Sequence, residues 1–382
     1  MTIKKYKIIH IHTDYKFVGT KRFECSYFDN TNIIIENDKP YKGIYKDSAI
    51  IFKNTKFNID NIARLCEKGD LVVFHGLSYI SINILLSLNN DVPVAWRLFG
   101  YELYSKMQNF CYTDSTLELL KIGTFKKIKN LLRTPCLIIH KIKTHMINKN
   151  DSLKKIIERI NIFLCLCDEE YALLKQHFPY LPRYIKLPII ESNITYDGLF
   201  DKKKPLIVIG NSRSPYNNHI DIIKLISKAK RKEEYSFIML FSYGGNGKYA
   251  QEVMKASEVI PHMTIQKDFI PHEEFISFYT KVSAFVLNSH REMAVGNIWE
   301  SIKKGVKLYL NKKNPVFTWL CNEGFIIFTI EDFINDIDVY NVKLTIEQAQ
   351  HNIQCLKNIS KKYSVNDFQK IIFDYLSLSC HK

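Results

Sequence analysis

Short apolar runs recur along the whole chain, and each is followed by a polar turn and by a stretch with helical spacing. In the clearest example, Leu206–Ile209 precedes Gly210-Asn211-Ser212, and an apolar helical stripe then begins at Ile220. A run of four apolar residues predicts a buried parallel strand, and strands that alternate with helices predict a parallel sheet covered on both faces. We therefore predict an α/β protein organised around residues 205–220.

Two α/β domains are predicted, because 382 residues are enough for two separate cores. The stretch Leu187–Lys204 has no periodicity, so we interpret it as the interdomain linker. We expect one domain at 1–190, a second at 205–360, and a closing helix at 361–382 that crosses back onto the first domain. Further strands are predicted at residues 7–11, 32–36, 49–52, 71–74, 92–96, 162–165, 237–241, 262–265, 284–287, 306–310 and 325–328.

The composition is that of a globular protein, with 46% hydrophobic residues and no run that approaches the ~18 apolar residues of a membrane span. The N-terminus leads into a strand and lacks the apolar core of a signal peptide, so we expect the chain to stay in the cytosol. The nine cysteines form no Cys-x-x-Cys pair or zinc-site spacing, which fits reduced thiols. We expect no structural metal.

A net charge of +15 indicates an anionic partner, and its distribution is uneven. Residues 119–150 contain no acidic residue, while lysines and arginines alternate there with apolar residues. This basic amphipathic stretch fits nucleic acid, an anionic membrane surface or a phosphorylated substrate equally well.

The turn after Leu206–Ile209 is a candidate phosphate site, because a strand, a polar turn and a helix N-terminus present backbone N–H groups to an anion. We predict Asn217 as the helix cap, and Arg213 and His219 as sources of charge or hydrogen bonds. The alternative is an ordinary strand-to-helix turn.

A glycine-rich loop follows the next predicted strand, with Tyr243 and Gly244 near its start. The glycines let the backbone approach a ligand closely, and the tyrosine ring can stack on a base. A flexible surface loop is the alternative interpretation.

A third loop, after the strand at 284–287, carries Arg291 and leads into a helix opened by Gly296 and Asn297. The guanidinium and the amides at that helix N-terminus can hold the second phosphate of a diphosphate. Glu292 and Glu300 stand about two helical turns apart, within reach of one sugar nucleotide, unless both are simply solvated.

In the first half, His75, Arg97 and Glu102 come directly after predicted strands, and Asp14 is similarly placed. A carboxylate or imidazole at such a position can take a proton from a sugar hydroxyl, so His75, Glu102 and Asp14 are the candidate catalytic residues. His75 fits a satisfied buried histidine equally well. We interpret Asp336-Ile-Asp338 as surface charge and expect neither a metal nor a cofactor.

Several motifs together resemble those of one enzyme family. They are Phe74-His-Gly76, Trp96-x-x-x-Gly100-x-Glu102-Leu-Tyr104, Gly210-Asn-Ser212 with Asn217-x-His-Ile220, and Leu310-Asn-x-x-Asn-Pro315. In this order and spacing the chain resembles glycosyltransferase family 56, the 4-alpha-L-fucosyltransferase or TDP-4-acetamido-4,6-dideoxygalactose transferase family of enterobacterial common antigen synthesis. The Glu292-x7-Glu300 pair departs from that family and is typical of other GT-B transferases.

The resemblance implies a GT-B fold, with two Rossmann-like domains facing across a cleft. It implies that residues 205–360 bind the dTDP- or UDP-linked donor sugar and that residues 1–190 bind the acceptor. On the donor side the matching residues are Gly210, Asn211, Ser212, Asn217, His219, Tyr243, Arg291 and Gly296. On the acceptor side they are His75, Gly76, Trp96, Gly100 and Tyr104.

The activity implied is transfer of a deoxy-amino sugar, Fuc4NAc-like or fucose-like, from a nucleotide diphosphate, with dTDP expected, to a polyprenyl-diphosphate-linked saccharide in surface polysaccharide synthesis. The stretch 121–150 would then bind anionic lipid, since each Lys or Arg near headgroups contributes about 1 kcal/mol. We accordingly expect a peripheral protein on the cytoplasmic side of the bacterial inner membrane. The alternatives are a basic nucleic-acid-binding protein, disfavoured because the aromatic residues lie in core-like patterns, and a GT-B sugar-nucleotide epimerase.

Overall fold

The computed structural model describes residues 5–15, 18–36, 40–120, 149–189, 194, 205–245 and 247–379. These residues form two compact units, the first drawn from Met1–Leu103, Leu137–Ile190 and Ser360–Lys382, the second from Tyr104–Cys136 and Glu191–Ile359. Among the described residues, no helix is both long enough and apolar enough to cross a bilayer.

The first unit contains a parallel sheet of seven strands, in the spatial order β3-β2-β1-β4-β5-β6-β7. The strands are β1 Tyr6–His12, β2 Phe28–Glu36, β3 Ile50–Lys53, β4 Leu71–His75, β5 Val94–Arg97, β6 Ile162–Cys165 and β7 Arg183–Lys186. The helices of this unit are Asn58–Cys66, Tyr79–Ser87, Lys149–Glu158, Asp168–His177 and Val365–Ser379. The short helix Tyr101–Tyr104 spans the boundary between the two units.

The second unit contains a parallel sheet of six strands, in the order β10-β9-β8-β11-β12-β13. The strands are β8 Leu206–Ile209, β9 Ser236–Leu240, β10 Met263–Gln266, β11 Ala284–Leu287, β12 Lys307–Leu310 and β13 Phe328–Thr329. The helices are Gln108–Cys111, His219–Lys228, Lys248–Ser257, His272–Tyr279, Val295–Lys303, Pro315–Asn322, Ile330–Asp338 and Ile346–Lys362, the last of which ends in the first unit.

The central strands explain why the sequence folds this way. Every residue of β4, β6 and β11 is buried, as apolar strands covered by helices on both sides must be. Each fully buried aliphatic side chain contributes about 1.5–3 kcal/mol relative to an exposed one. The prediction of an α/β fold with two Rossmann-like domains is confirmed.

Residues 104–120 belong to the second unit, whereas the predicted boundaries placed them in the first domain at 1–190. The Asn218 side chain holds them there: its Nδ2 donates to the Cys111 carbonyl oxygen at 3.1 Å, and its Oδ1 accepts the Thr113 N–H at 3.1 Å. Because these partners lie over a hundred residues apart in sequence, no local pattern reveals the contact.

The C-terminal helix Val365–Ser379 lies in the first unit. Its buried face repeats every four residues at Phe368, Ile372 and Leu376, which pack into the first core. The Tyr6 hydroxyl is hydrogen-bonded to Ser377 Oγ at 3.1 Å.

Edge strand β7 and the start of the predicted linker also differ from expectation. In β7 only Ile185 is fully buried, so the segment lacks the apolar run that marks the other strands. Leu187 then continues the pairing, with its N–H donating to the Cys165 carbonyl oxygen at 2.9 Å. Of the rest of the predicted linker, the structure describes 188, 189 and 194.

Candidate functional site

The second sheet fixes where a ligand of this unit is expected. In chain order its strands lie 3-2-1-4-5-6, so the connections reverse direction between β8 and β11. Ligands of open α/β sheets bind outside the carboxyl ends of the strands at such a switch point. The loops that follow β8, β9 and β11 all leave from this edge.

The turn after β8 requires glycine at position 210. Gly210 has φ +61°, and a Cβ there would lie 2.8 Å from His219 Nε2 and 3.0 Å from Asn217 Oδ1. Both the left-handed backbone and the contact with two buried side chains exclude a larger residue without strain. The turn is therefore packed tightly against the residues that follow it.

The amides of this turn are engaged inside the loop. The Asn211 N–H donates to Asn217 Oδ1 at 3.1 Å, the Arg213 N–H to the Tyr243 carbonyl oxygen at 2.7 Å, and the Ser214 N–H to Ser212 Oγ at 3.4 Å. The phosphate-binding role predicted for these backbone groups is therefore not supported at Asn211 and Arg213, because their donors already have partners.

The predicted cap also needs correction. Asn217 ends a 3-10 turn and is buried, where its Nδ2 donates to the Ser212 carbonyl oxygen at 3.1 Å and to Ser212 Oγ at 3.2 Å. The residue that precedes the helix His219–Lys228 is Asn218, in the left-handed conformation with φ +47°. Asn217 and Ser212 thus shape the loop from within.

His219 lies inside the unit and is fully buried. Its N–H donates to the Tyr249 hydroxyl at 3.1 Å, and its Nδ1 lies 3.1 Å from the same oxygen. Burial lowers the pKa of His219 to about 3, so the ring is neutral at pH 7. The predicted charge at this position is therefore absent. The first N–H of the helix is also not available to a ligand, because it donates to Tyr249.

The glycine-rich loop after β9 contacts the turn after β8. Tyr243 is 45% exposed, and its hydroxyl accepts a hydrogen bond from Asn211 Nδ2 at 3.0 Å. At Gly244 a Cβ would lie 2.8 Å from the Ser214 nitrogen, so the two loops approach as closely as glycine allows. The structure thus brings together Tyr243, Gly244 and Asn211.

Arg291, in the loop after β11, lies close to two tyrosine rings. Its guanidinium carbon lies 5.1 Å from the centre of the Tyr104 ring and 4.7 Å from that of the Tyr216 ring. Its Nε and Nη1 are buried and have no hydrogen-bond partner among the residues that the structure describes. The sequence predicted Arg291 but not Tyr216, and it placed Tyr104 on the acceptor side.

The start of this loop is fixed by buried polar residues that sequence reasoning missed. Asn218 Nδ2 donates to the Asn288 carbonyl oxygen at 3.0 Å, and Asn311 Nδ2 donates to Asn288 Oδ1 at 2.7 Å. Ser289 Oγ donates to the Arg291 carbonyl oxygen at 3.0 Å. These bonds hold the main chain beneath the Arg291 side chain.

The remaining predicted donor residues lie around the helix Val295–Lys303. Gly296 is exposed, and Asn297 Nδ2 donates to the Tyr279 hydroxyl at 3.0 Å. Glu300 is buried and pairs with Lys303 at 2.5 Å. Glu292 lies in the loop before the helix, so the predicted spacing of two helical turns between the glutamates is wrong.

The first sheet also has a switch point, between β1 and β4, and the predicted catalytic residue His75 ends β4 there. His75 Nε2 lies 3.1 Å from His10 Nδ1, and Arg97 Nη1 lies 3.4 Å from His75 Nδ1. Both ring nitrogens of His75 are therefore engaged. Burial lowers its pKa well below the ordinary value.

Glu102 is half-buried and braces the loops after β4 and β5. Its Oε1 accepts the Leu77 N–H at 3.1 Å, the Trp96 Nε1–H at 3.3 Å and the Phe99 N–H at 3.4 Å. Burial raises its pKa to about 7, although these hydrogen bonds oppose the shift. Gly76 and Gly100 lie in the same two loops, both with positive φ.

The last sequence predictions concern Asp14 and the segment Asp336-Ile-Asp338. Asp14 is exposed in the loop after β1. The interpretation of Asp336 as surface charge is wrong, because its Oδ2 pairs at 2.7 Å with Nζ of the buried Lys307. Asp338 Oδ1 accepts the Lys230 N–H at 2.7 Å. Most of the basic stretch, residues 121–148, lies outside the described residues.

Comparison with known proteins gives one match to a family. The model described as 4-alpha-L-fucosyltransferase glycosyl transferase group 56 matches residues 177–367, half of the chain. No curated protein sequence matches the chain significantly.

Solved structures are similar over almost the whole chain. Anabaena HepE, in complex with UDP and glucose, has a TM-score of 0.63 at 11% identity and covers 97% of this chain and 99% of its own. The lipopolysaccharide outer core galactosyltransferase WaaB has 0.57 at 11% identity, covering 97% and 99%. An alpha-glucosyltransferase in complex with UDP and a 13-mer DNA has 0.56 at 11%, covering 98% and 100%. At these identities the likeness shows the fold alone, and that fold is GT-B.

Proposed function

The chain belongs to glycosyltransferase group 56, and from this premise we propose that it transfers a Fuc4NAc-like or fucose-like deoxy-amino sugar from a dTDP-linked donor to a polyprenyl-diphosphate-linked saccharide. That the protein is a glycosyltransferase that takes its sugar from a nucleotide-sugar donor follows from the family and the GT-B fold. The identity of the sugar, the nucleotide and the acceptor is the proposal.

The observation that carries the donor site is the guanidinium of Arg291. It lies at the carboxyl edge of the second sheet, in the loop after β11, and its Nε and Nη1 are buried without a partner among the described residues. Leaving a buried donor unsatisfied costs about 1–3 kcal/mol, and more for a charged group. Because arginine keeps its positive charge in a protein, an anionic ligand is the partner that matches these donors best.

The two tyrosines explain why this anion is expected to be a diphosphate. The Tyr104 and Tyr216 rings lie 5.1 and 4.7 Å from the guanidinium carbon, so cation–π contacts hold this side chain in place before any ligand arrives. A guanidinium can bind two phosphate oxygens at once. As the bond between the sugar and the diphosphate breaks, the negative charge that develops on the leaving oxygen is stabilised by this guanidinium.

Nucleotide binding tests the donor site directly. UDP and dTDP should each raise the melting temperature, since a ligand at about 100 times its dissociation constant adds about 2.7 kcal/mol to the folded state. Arg291→Met should abolish that rise while keeping an apolar stem between the tyrosines. HepE and the alpha-glucosyltransferase hold UDP in their complexes, so UDP is the first probe.

Arg231 supplies a matched control for this experiment. It also stacks on a tyrosine, 4.9 Å from the centre of the Tyr340 ring, but it is neutralised by Glu234 through bonds of 2.6 and 2.8 Å. Arg231→Met should therefore leave nucleotide binding unchanged. If Arg291→Met binds UDP as tightly as the wild type does, the donor site lies elsewhere.

Product analysis tests the sugar and the acceptor. With the dTDP-linked deoxy-amino sugar and a polyprenyl-diphosphate-linked saccharide, we expect an extended lipid-linked product; with UDP-glucose we expect little or none. Omitting the acceptor separates the alternatives, because an epimerase converts the nucleotide sugar without it, whereas a transferase needs the acceptor for a lipid-linked product.

We also propose peripheral attachment to the cytoplasmic side of the bacterial inner membrane, through the basic stretch 121–150. The support for this attachment comes from the sequence alone, namely the basic and apolar residues of this stretch. Vesicles with anionic lipid should bind the protein in a salt-sensitive way, while neutral vesicles should not. RNA and DNA belong in the same assay, because preferential binding to either would favour the nucleic-acid alternative.

A further inference from the structure

Three imidazoles meet at the carboxyl edge of the first sheet, at its switch point. His10 and His12 lie on one face of β1, and His12 is in register with His75 on the neighbouring strand β4. The rings of His12 and His75 stack with centres 4.2 Å apart, and the His10 and His75 rings are 5.3 Å apart. All three side chains are buried.

Hydrogen bonds assign the protons of His10 and His75. Asn30 Nδ2 donates to the Phe23 carbonyl oxygen at 2.9 Å, which turns Asn30 Oδ1 toward His10 Nε2, also at 2.9 Å. Because an amide oxygen only accepts, His10 carries its proton on Nε2 and accepts at Nδ1. His75 must then donate from Nε2 and accept from Arg97 at Nδ1.

His12 is different, because only one of its nitrogens is engaged. Its Nε2 donates to Asn32 Oδ1 at 2.9 Å, so in the neutral ring Nδ1 carries the lone pair. That atom is buried and has no hydrogen-bond partner among the residues that the structure describes. Burial, with further contributions from His10 and Arg97, lowers the pKa of His12 to about 3 and so keeps the ring neutral.

The catalytic residues predicted from sequence are placed differently from His12. His75 has both nitrogens engaged. Glu102 accepts three hydrogen bonds that brace its own loops. Asp14 is exposed, whereas His12 lies two residues earlier, at the end of β1 and beneath the loop surface.

We propose that His12, held by Asn32, is the proton acceptor of the transfer reaction, with Nδ1 as the basic atom. This inference rests on the proposed function. The acceptor hydroxyl gives its proton to Nδ1 while its oxygen forms the bond to the anomeric carbon of the donor sugar. The bond from that carbon to the diphosphate breaks, the electron pair leaves with the nucleoside diphosphate, and the imidazolium later returns the proton to water.

The first test is His12→Gln in the full-length protein. Glutamine can still donate to Asn32 Oδ1, but it has no basic nitrogen. We expect kcat to fall by about 100-fold or more, as for loss of a general base, with the UDP-induced rise in melting temperature unchanged. A smaller fall in a variant that still responds to UDP overturns the proposal.

The second test separates a proton acceptor from a structural residue. Asn32→Asp places a carboxylate on Nε2 and should raise the basicity of His12, so the acidic limb of the kcat profile should move to higher pH. Asn30→Asp is the matched control, because it makes the same change beside His10 and should leave the limb in place. If Asn30→Asp moves the limb and Asn32→Asp does not, the proton passes through the His10–His75 pair and the proposal is wrong.

These outcomes are distinct from failure of the proposed function. If the wild-type protein neither responds to UDP nor forms lipid-linked product, the donor and acceptor are misassigned. If the wild type is active and the two His12 tests fail, only the assignment of the proton acceptor is lost. Should His12→Gln not fold, which its melting curve would show, the pair of asparagine variants decides the question.

Discussion

Acidification should destabilise this protein through its buried histidines at a pH well above the ordinary pKa of carboxylates. Burial lowers the pKa of His10 to about 4 and that of His12 to about 3, and it lowers the pKa of His75 well below its ordinary value. In the unfolded chain a histidine titrates near 6.5. Below that pH the unfolded state therefore binds more protons than the folded state, and the free energy of unfolding falls as the pH falls.

The size of this loss of stability follows from the difference between the pKa of each histidine in the folded and in the unfolded chain. Between pH 7 and pH 5, each histidine that stays neutral in the folded state and titrates near 6.5 when unfolded removes about 2 kcal/mol of stability. His12→Gln eliminates one such group. The drop in stability from pH 7 to pH 5 should therefore be about 2 kcal/mol smaller in this variant than in the wild type, whatever its stability at pH 7.

The assay must follow the first unit by itself, because a protein of two units does not unfold in one step. Urea titrations at pH 7, 6 and 5, read by hydrogen-exchange pulse labelling of a peptide that contains β1, provide this. His177→Gln removes an exposed histidine and should show the same drop as the wild type. An equal drop in His12→Gln and the wild type would refute the claim that burial keeps His12 neutral.

Three further predictions concern single positions. Gly210→Ala should lower the free energy of unfolding by about 1–3 kcal/mol in a urea titration, because its left-handed backbone and its contact with His219 leave no room for a methyl group. Tyr216→Phe should retain UDP affinity, while Tyr216→Leu should weaken it about threefold or more by calorimetry, since only the ring stacks on Arg291. Burial raises the pKa of Glu102 in the folded protein to about 7, above its value in the unfolded chain, so ionisation of this carboxyl lowers the free energy of unfolding of the wild type as the pH rises. Between pH 4 and pH 8, Glu102→Gln should therefore gain about 3 kcal/mol in free energy of unfolding relative to the wild type, as measured by urea titration at both pH values.

Much of the fold is legible from the sequence because parallel strands buried on both faces must be apolar. The runs at Leu206–Ile209, Ile162–Cys165 and Ala284–Leu287 match the observed strands at both ends. Edge strand β7 was not predicted, because only Ile185 is buried there and the segment has no apolar run. The order of strands and helices in the sequence also indicates which loops leave the carboxyl edge of each sheet, where ligands of such sheets bind.

Contacts across long sequence separations were not predictable in this way. Nothing local indicates that Tyr104 and Tyr216 enclose Arg291, or that His219 would be buried under Tyr249. Their geometry depends on which loops meet after the sheet has formed.

The histidine cluster could have been predicted from the spacing of its residues in the sequence. His10 and His12 are two residues apart in β1, where they alternate with apolar residues, and Asn30 and Asn32 are two apart in β2. A period of two places each pair on one face of its strand, so imidazole and amide groups on neighbouring strands were placed to meet.

The interleaved course of the chain through its two units affects the order in which they can form during synthesis. The unit that contains β8–β13 has all its segments once Ile359 has left the ribosome, whereas the unit that begins at the N-terminus still lacks the helix Val365–Ser379. That helix supplies Phe368, Ile372 and Leu376 to the core against which Tyr6 and Phe23 pack. The unit whose first strands are made earliest is therefore completed after the other unit, because its core lacks this helix until residues 365–379 have left the ribosome.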